Sequence, residues 1–158
     1  MKRFMFMCMM LLAATLTFTA CGSDDDEDIN NGEVITDNLY TYSESTTIPS
    51  YGRITVIGSA AFDNNNKCTS ITIQHVYEKK SFAKQIWKAY LEEAEENKDW
   101  AEAMQYYSFD GNNTITYQIP GNVVRQYAAA MTKDQLCEQV KQMVISNIEN
   151  YNAIYSEE

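Results

Sequence analysis

The residue types that usually carry catalysis or bind metals are scarce in this sequence. Its 158 residues include one histidine, His75. The segment Ile57-Gly58-Ser59-Ala60-Ala61 lacks the second glycine of a nucleophile elbow. The chain also has no glycine loop for phosphate and no His-Glu zinc helix. We therefore find no set of residues that predicts catalysis, and we expect neither an enzyme activity nor a cofactor.

His75 lies in a segment, Thr69 to Tyr77, where apolar and polar residues alternate. It shares the face of that predicted strand with Ile71 and Ile73, because side chains two apart point to the same side. A structural histidine in or near the core is the interpretation that this position favours. A small hydrolase that uses His75 is the weaker alternative.

The amino-terminal residues are arranged as in a secretory signal. Lys2 and Arg3 precede an uncharged apolar run from Phe4 to Phe18, and small residues follow. A membrane-spanning helix needs roughly 20 apolar residues, more than this run supplies. Residues 1–20 are therefore predicted to be a signal peptide that is removed.

The residues around the expected cleavage point are Phe18-Thr19-Ala20-Cys21. They resemble the lipobox of bacterial lipoproteins. The resemblance implies that the chain is cut before Cys21, that its thiol receives a diacylglyceryl group and that the new amine is acylated. The expected partner of Cys21 is thus a membrane. The alternative is an ordinary signal peptide that is cut near a chance cysteine.

An acidic run, Asp24 to Asp28, follows Cys21 after Gly22 and Ser23. This order is similar to the export signal of Bacteroidota-type surface lipoproteins. It implies an outer-membrane protein that faces the cell exterior. The alternative interpretation is a solvated spacer, which any lipoprotein can carry.

The net charge of −10 is concentrated in residues 21–50. That segment has no Lys or Arg, and its acids are Asp24, Asp25, Asp26, Glu27, Asp28, Glu33, Asp37 and Glu44. We interpret it as a lipidated tether with too few apolar residues to fold alone. Residues 33–43 contain enough apolar side chains to form a strand, so that alternative is left open. Residues 51–158 are predicted to form one domain, which has no basic cluster for nucleic acid.

Of the four cysteines, Cys8 lies in the signal and Cys21 is the expected lipidation site. Cys68 and Cys137 remain, and in an exported protein they would form a disulfide if they lie close together. Two buried thiols that never meet are the alternative. Two cysteines and one histidine make a metal site an unfavoured interpretation.

Aromatic residues are frequent, with 11 Tyr and 2 Trp. Tyr51, Trp100, Tyr106 and Tyr107 stand near predicted turns, where exposed rings would bind a glycan or a partner protein. The alternative is that these rings belong to the core and the sheet surface.

The elements that must position these residues follow from periodicity. Alternation predicts strands over 53–62, 69–77 and 114–119, and helical spacing of apolar residues predicts helices beginning near Ser81, Asp99, Val123 and Thr132. The predicted fold class is α+β, with an antiparallel sheet of three or four strands, helices packed on one face and a long C-terminal helix.

Together these features favour a lipid-anchored, surface-exposed binding or accessory module without catalytic activity. The alternative is an envelope structural lipoprotein, or one of the immunity type that blocks a rival's toxin.

Overall fold

The structure is a computed structural model, and it describes residues 32–155. In this part of the chain the strands form one six-stranded sheet, in which every neighbouring pair is antiparallel and the order is β1-β2-β3-β4-β6-β5. The strands are β1 (Gly32–Ile35), β2 (Leu39–Ile48), β3 (Gly52–Phe62), β4 (Cys68–Tyr77), β5 (Tyr107–Phe109) and β6 (Thr114–Gln118).

The helices of this region lie between β4 and β5 and after β6. They are α1 (Lys80–Glu96), α2 (Lys98–Ala103), α3 (Gly121–Ala130) and the long C-terminal α4 (Lys133–Tyr155), and a short 3-10 turn spans Met104–Tyr106. The predicted α+β class, the antiparallel sheet and the long last helix are confirmed.

The predicted strand count of three or four is wrong, because the sheet has six strands. Strands β1 and β2 lie within the segment that was interpreted as tether, so the fold includes residues 32–50 as well as the predicted domain. Their strand pairing stabilises a sequence that is otherwise polar: Tyr40 pairs with Ala60 and is only 1% exposed. The remaining strand, β5, has three residues, too few to show a period.

The two faces of the sheet differ as the alternation predicts. On β3, the residues that point to one face are buried, from Ile54 through Val56 and Ala60 to Phe62. Residues on the other face of the central strands are half-buried, small or polar, and they include Thr55, Ile57, Ser59, Ser70, Thr72 and Gln74. The helices therefore cover one face, and the opposite face stays open.

Helix α4 crosses the covered face at Gly58. A Cβ atom added at Gly58 would lie 2.7 Å from Cγ1 of Val140 and 2.8 Å from Cγ2 of Val144. Real Cβ atoms do not approach other heavy atoms so closely because the atoms would overlap, and a close-packed interior leaves the valines little room to move away. The absence of a side chain at Gly58 thus allows α4 to pack against β3.

The first residues of three helices can be compared with the starts predicted from the sequence. At the start of α4, which was predicted near Thr132, Thr132 and Gln135 form a capping box, in which the backbone N–H of each donates to the side chain of the other, at 2.9 and 3.3 Å. The N-cap of α2 is Asn97, which accepts from the N–H groups of Asp99 and Trp100. Helix α1 was predicted to begin near Ser81 and begins at Lys80, so Ser81 lies inside it.

Candidate functional site

The expected lipidation site and export signal lie outside the described residues. The predicted signal peptide, Cys21 and the acidic run from Asp24 to Asp28 all precede Gly32, the first described residue. Among residues 32–155, none of the helices has both the length and the apolar character needed to cross a membrane.

His75 belongs to a buried chain of hydrogen-bonding side chains. Its Nδ1 lies 2.8 Å from the hydroxyl of Tyr151, and that hydroxyl lies 2.7 Å from the hydroxyl of Tyr77. His75 comes from β4 and Tyr151 from α4, so the contact joins the sheet to the covering helix. Burial lowers the pKa of His75 to about 4, since the charged imidazolium would lose its hydration in the core. These features agree with the structural interpretation of His75.

Cys68 and Cys137 are both free thiols in the structure. They lie at the same end of the covered face. Cys68 on β4 pairs with Phe62 on β3, and the ring of Phe62 lies 5.0 Å from Nζ of Lys133 on α4. Cys137 lies one helical turn after Lys133 on the same helix. Burial raises the pKa of both thiols. The disulfide stays a prediction, which this shared position supports.

The four aromatic residues that were predicted to bind a ligand fall into different surroundings. The rings of Trp100 and Tyr107 are 5.3 Å apart between centroids, and both pack against Tyr90. Tyr51 instead contacts Phe82 at 4.3 Å. These three residues and Tyr106 are all half-buried. Each therefore gives part of its surface to packing, and a binding role for them stays a prediction.

Three of the four exposed large apolar side chains among the described residues lie together at another place. Val34, Ile35 and Leu39 are 56%, 64% and 42% exposed, and they lie at the turn between β1 and β2. We call these three residues the hairpin patch. Elsewhere in residues 32–155, the large apolar side chain with a similar exposed fraction is Leu91 of α1, which is 46% exposed.

The sequence contains a signal for the hairpin patch. Val34, Ile35 and Leu39 are apolar residues within an acidic, polar segment, and they are among the residues that left a strand over 33–43 open. The sequence does not show that β1 lies at the edge of the sheet. At this edge, Val34 and Ile35 both remain more than half exposed.

Charges of both signs lie near the hairpin patch: Lys133 donates to the carbonyl of Asp37, Lys141 lies 5.3 Å from the ring of Tyr42, and carboxylates act on the same tyrosine. Burial, followed by the carboxylates of Glu44, Glu33 and Glu138, raises the pKa of Tyr42 to about 12. The pKa of Tyr40 is also raised, first by burial and next by the carboxylate of Glu33. Carboxylates from β1, β2 and α4 therefore converge at this side of the sheet.

Within the described residues, no group of three or more His, Cys, Asp and Glu side chains is placed to hold a metal ion. Comparison with models of known protein families, with curated proteins and with solved structures finds no match for this chain.

Proposed function

We propose that this chain is a lipid-anchored protein of the outer membrane, that it faces the cell exterior, and that it binds a partner protein without catalysing a reaction. The anchor is lipid on Cys21, and the residues before Gly32 hold the domain near the membrane. A fully extended chain gains at most about 3.6 Å per residue, so this segment keeps the domain within roughly 40 Å of the anchor.

The observation that carries the binding role is the hairpin patch. A folded domain tolerates scattered exposed apolar residues, but a group of them at one place is typical of an interaction surface. Val34, Ile35 and Leu39 form such a group at one end of the sheet. A protein partner fits this surface better than a glycan, because the patch is aliphatic and glycans favour exposed aromatic rings.

Site-specific photo-crosslinking in intact cells tests this proposal. A photoreactive amino acid is placed at Leu39 in the hairpin patch, and in a matched variant it replaces Leu91, which is similarly exposed on α1. We expect a discrete adduct of higher mass from position 39 and none from position 91. Protease added to the same intact cells should degrade the domain.

Two results would contradict the proposal. One is the absence of any adduct at position 39 although the variant reaches the membrane. The other is a domain that resists protease in intact cells and becomes sensitive after lysis, which would place it on the inner side.

A further inference from the structure

The sheet face opposite the helices is almost free of charge, and we call it the open face. Among the described strand residues whose side chains point to it, Arg53, near the start of β3, is the one charged residue. The register places uncharged residues in its middle, and those used below are Thr55, Ile57, Ser59, Thr72, Gln74 and Thr116. Charged residues make up 22% of the chain, so their near absence from a whole sheet face needs a reason.

The helix layer carries the charge that the open face lacks. On α1, the side chains of Lys88 and Glu92 form an ion pair and are 77% and 60% exposed, and Lys84 is exposed on the same helix. Lysine and glutamate are the residues that ordinarily meet water at a protein surface. A surface without them can be covered by another protein without the cost of removing an ion from water. The open face therefore has the charge pattern of a surface that can be buried.

Polar side chains on the open face are already bonded to each other across neighbouring strands. The hydroxyl oxygens of Ser45 and Thr55 lie 2.8 Å apart, and Nε2 of Gln74 donates to Oγ1 of Thr116 at 3.4 Å. Ile57 lies on β3 beside Gln74 and adds an aliphatic side chain to the middle of the face. Because a polar group that has a protein partner loses less on burial than one bonded to water, these pairs lower the cost of covering the face.

The open face is large enough for a stable interface. The central strands β2, β3 and β4 have 10, 11 and 10 residues. With strands about 4.8 Å apart and a rise of about 3.4 Å per residue, the six strands together present a face of roughly 700 Å². Two such faces would bury roughly 1,400 Å² in all, within the range of about 1,200–2,000 Å² that is typical of specific interfaces.

A second copy of this chain fits the open face better than a different protein does. Electrostatic complementarity is a main source of specificity between different proteins, and this face offers no pattern of charges to complement. A second copy brings the same uncharged surface with the same twist, and two twisted sheets pack face to face at about 30°. Twofold pairing, in which both copies use the same patch, is also the commonest form of oligomer.

We propose that two copies of this chain pair through their open faces and form a sandwich of two sheets about a twofold axis. Ile57 and Gln74, which are paired in the middle of β3 and β4, lie near that axis. The proposal goes beyond the proposed partner binding and uses a different surface. Val34 and Leu39 lie only at the margin of the open face, and Ile35 points to the covered face.

The test uses the full chain, purified from membranes in detergent, and sedimentation equilibrium measures its mass over a range of protein concentrations. We expect a dimer that dissociates on dilution. Ile57→Lys and Thr72→Lys each place a charge in the middle of the open face and should weaken dimerisation at least about tenfold, because a charge would be buried without a partner.

Two control variants carry the same new charge elsewhere. Leu91→Lys on α1 and Ile35→Lys on the covered side of β1 should each leave dimerisation within about twofold, because neither side chain points to the open face. Ile57 and Thr72 are only half-buried, so their lysine variants should keep the fold, and circular dichroism with thermal unfolding checks that they do. Two lysine variants at separate positions keep the test valid if one of them fails to fold.

Photo-crosslinking in intact cells identifies what lies on the open face. A photoreactive amino acid in place of Gln74 should give an adduct of twice the chain mass, and an adduct with a protein of another mass would overturn the second copy as occupant. A chain that stays monomeric up to about 0.1 mM would overturn the proposal. Dimers that Ile35→Lys abolishes and Ile57→Lys preserves would also overturn it, since the contact would then lie at the hairpin patch.

The proposed binding function is tested separately. The adduct at Leu39 with a different protein should persist in Ile57→Lys, which separates the two copies. Failure of dimerisation therefore leaves the partner binding of the hairpin patch standing, and failure of the Leu39 adduct leaves the dimer standing.

Discussion

The Nδ1 atom of His75 and the hydroxyl of Tyr151 lie 2.8 Å apart, although the two residues are separated by 76 positions in the chain. Strand β4 and helix α4 thus share a polar contact inside an otherwise apolar core, and Tyr77 extends it at 2.7 Å. A neutral imidazole can donate or accept here, depending on its tautomer, whereas a charged one would lose an acceptor and its hydration. Burial of the ring therefore favours the neutral form of His75.

Folding stability should fall as the pH drops from 6.5, the ordinary pKa of histidine, toward about 4, the pKa of buried His75. In that range the unfolded chain binds a proton that the folded chain does not, so acid favours unfolding. The full loss is on the order of 3 kcal/mol. Urea unfolding between pH 7 and pH 4 measures it.

His75→Gln serves as the control for this prediction. It removes the titrating group, so its free energy of unfolding should depend less on pH between 6.5 and 4 than that of the parent chain. If both chains lose the same free energy over this range, the acid sensitivity belongs to other groups and the assignment to His75 is wrong.

Replacing Gly58 by Ala should destabilise the domain by roughly 1–3 kcal/mol, because the new methyl group would overlap Val140 and Val144. Thermal or urea unfolding measures the change. The matched control is Gly32→Ala, where the nearest atom to an added Cβ is Oγ of Ser43 at 3.6 Å, an ordinary contact. Equal effects of the two substitutions would show that α4 does not approach β3 closely at Gly58.

Cys68 and Cys137 should be joined by a disulfide in protein that is isolated from its host under oxidising conditions. Forming it removes two hydrogens, so the intact mass should be about 2 Da lower before reduction, and an alkylating reagent should label neither thiol in denaturant. The Cys68→Ser and Cys137→Ser variants should each leave one reactive thiol. Two labelled thiols in unreduced parent protein would contradict the prediction.

Part of the fold could be predicted because some segments have a single strong period. Ile54 to Phe62 alternates cleanly, and the apolar residues of α4 recur from Leu136 to Tyr155 at helical spacing. Strand β2 was foreseen only as the strand left open over residues 33–43. Serines and threonines fill half of its ten positions, so its alternation depends on residues such as Tyr40 and Ile48, which are buried in the sheet. Its tertiary environment outweighs its local composition.

The candidate site was less accessible to sequence reasoning than the fold. Val34 and Ile35 are ordinary strand residues, and their importance depends on the position of β1 at the sheet edge. The reverse holds for the aromatic residues. Tyr51 and Trp100 stand near predicted turns, yet their rings pack against Phe82 and Tyr90, contacts that no local pattern reveals.

The anchor at Cys21 is the claim on which the proposed location depends, and mass spectrometry of the amino-terminal peptide tests it most directly. Trypsin cuts after lysine and arginine, and the first such residue after Cys21 is Arg53. The proposal predicts that this peptide begins at Cys21 and carries a diacylglyceryl group on its sulfur and an acyl group on its amine. A peptide that begins elsewhere, or one whose Cys21 thiol is unmodified, would contradict it.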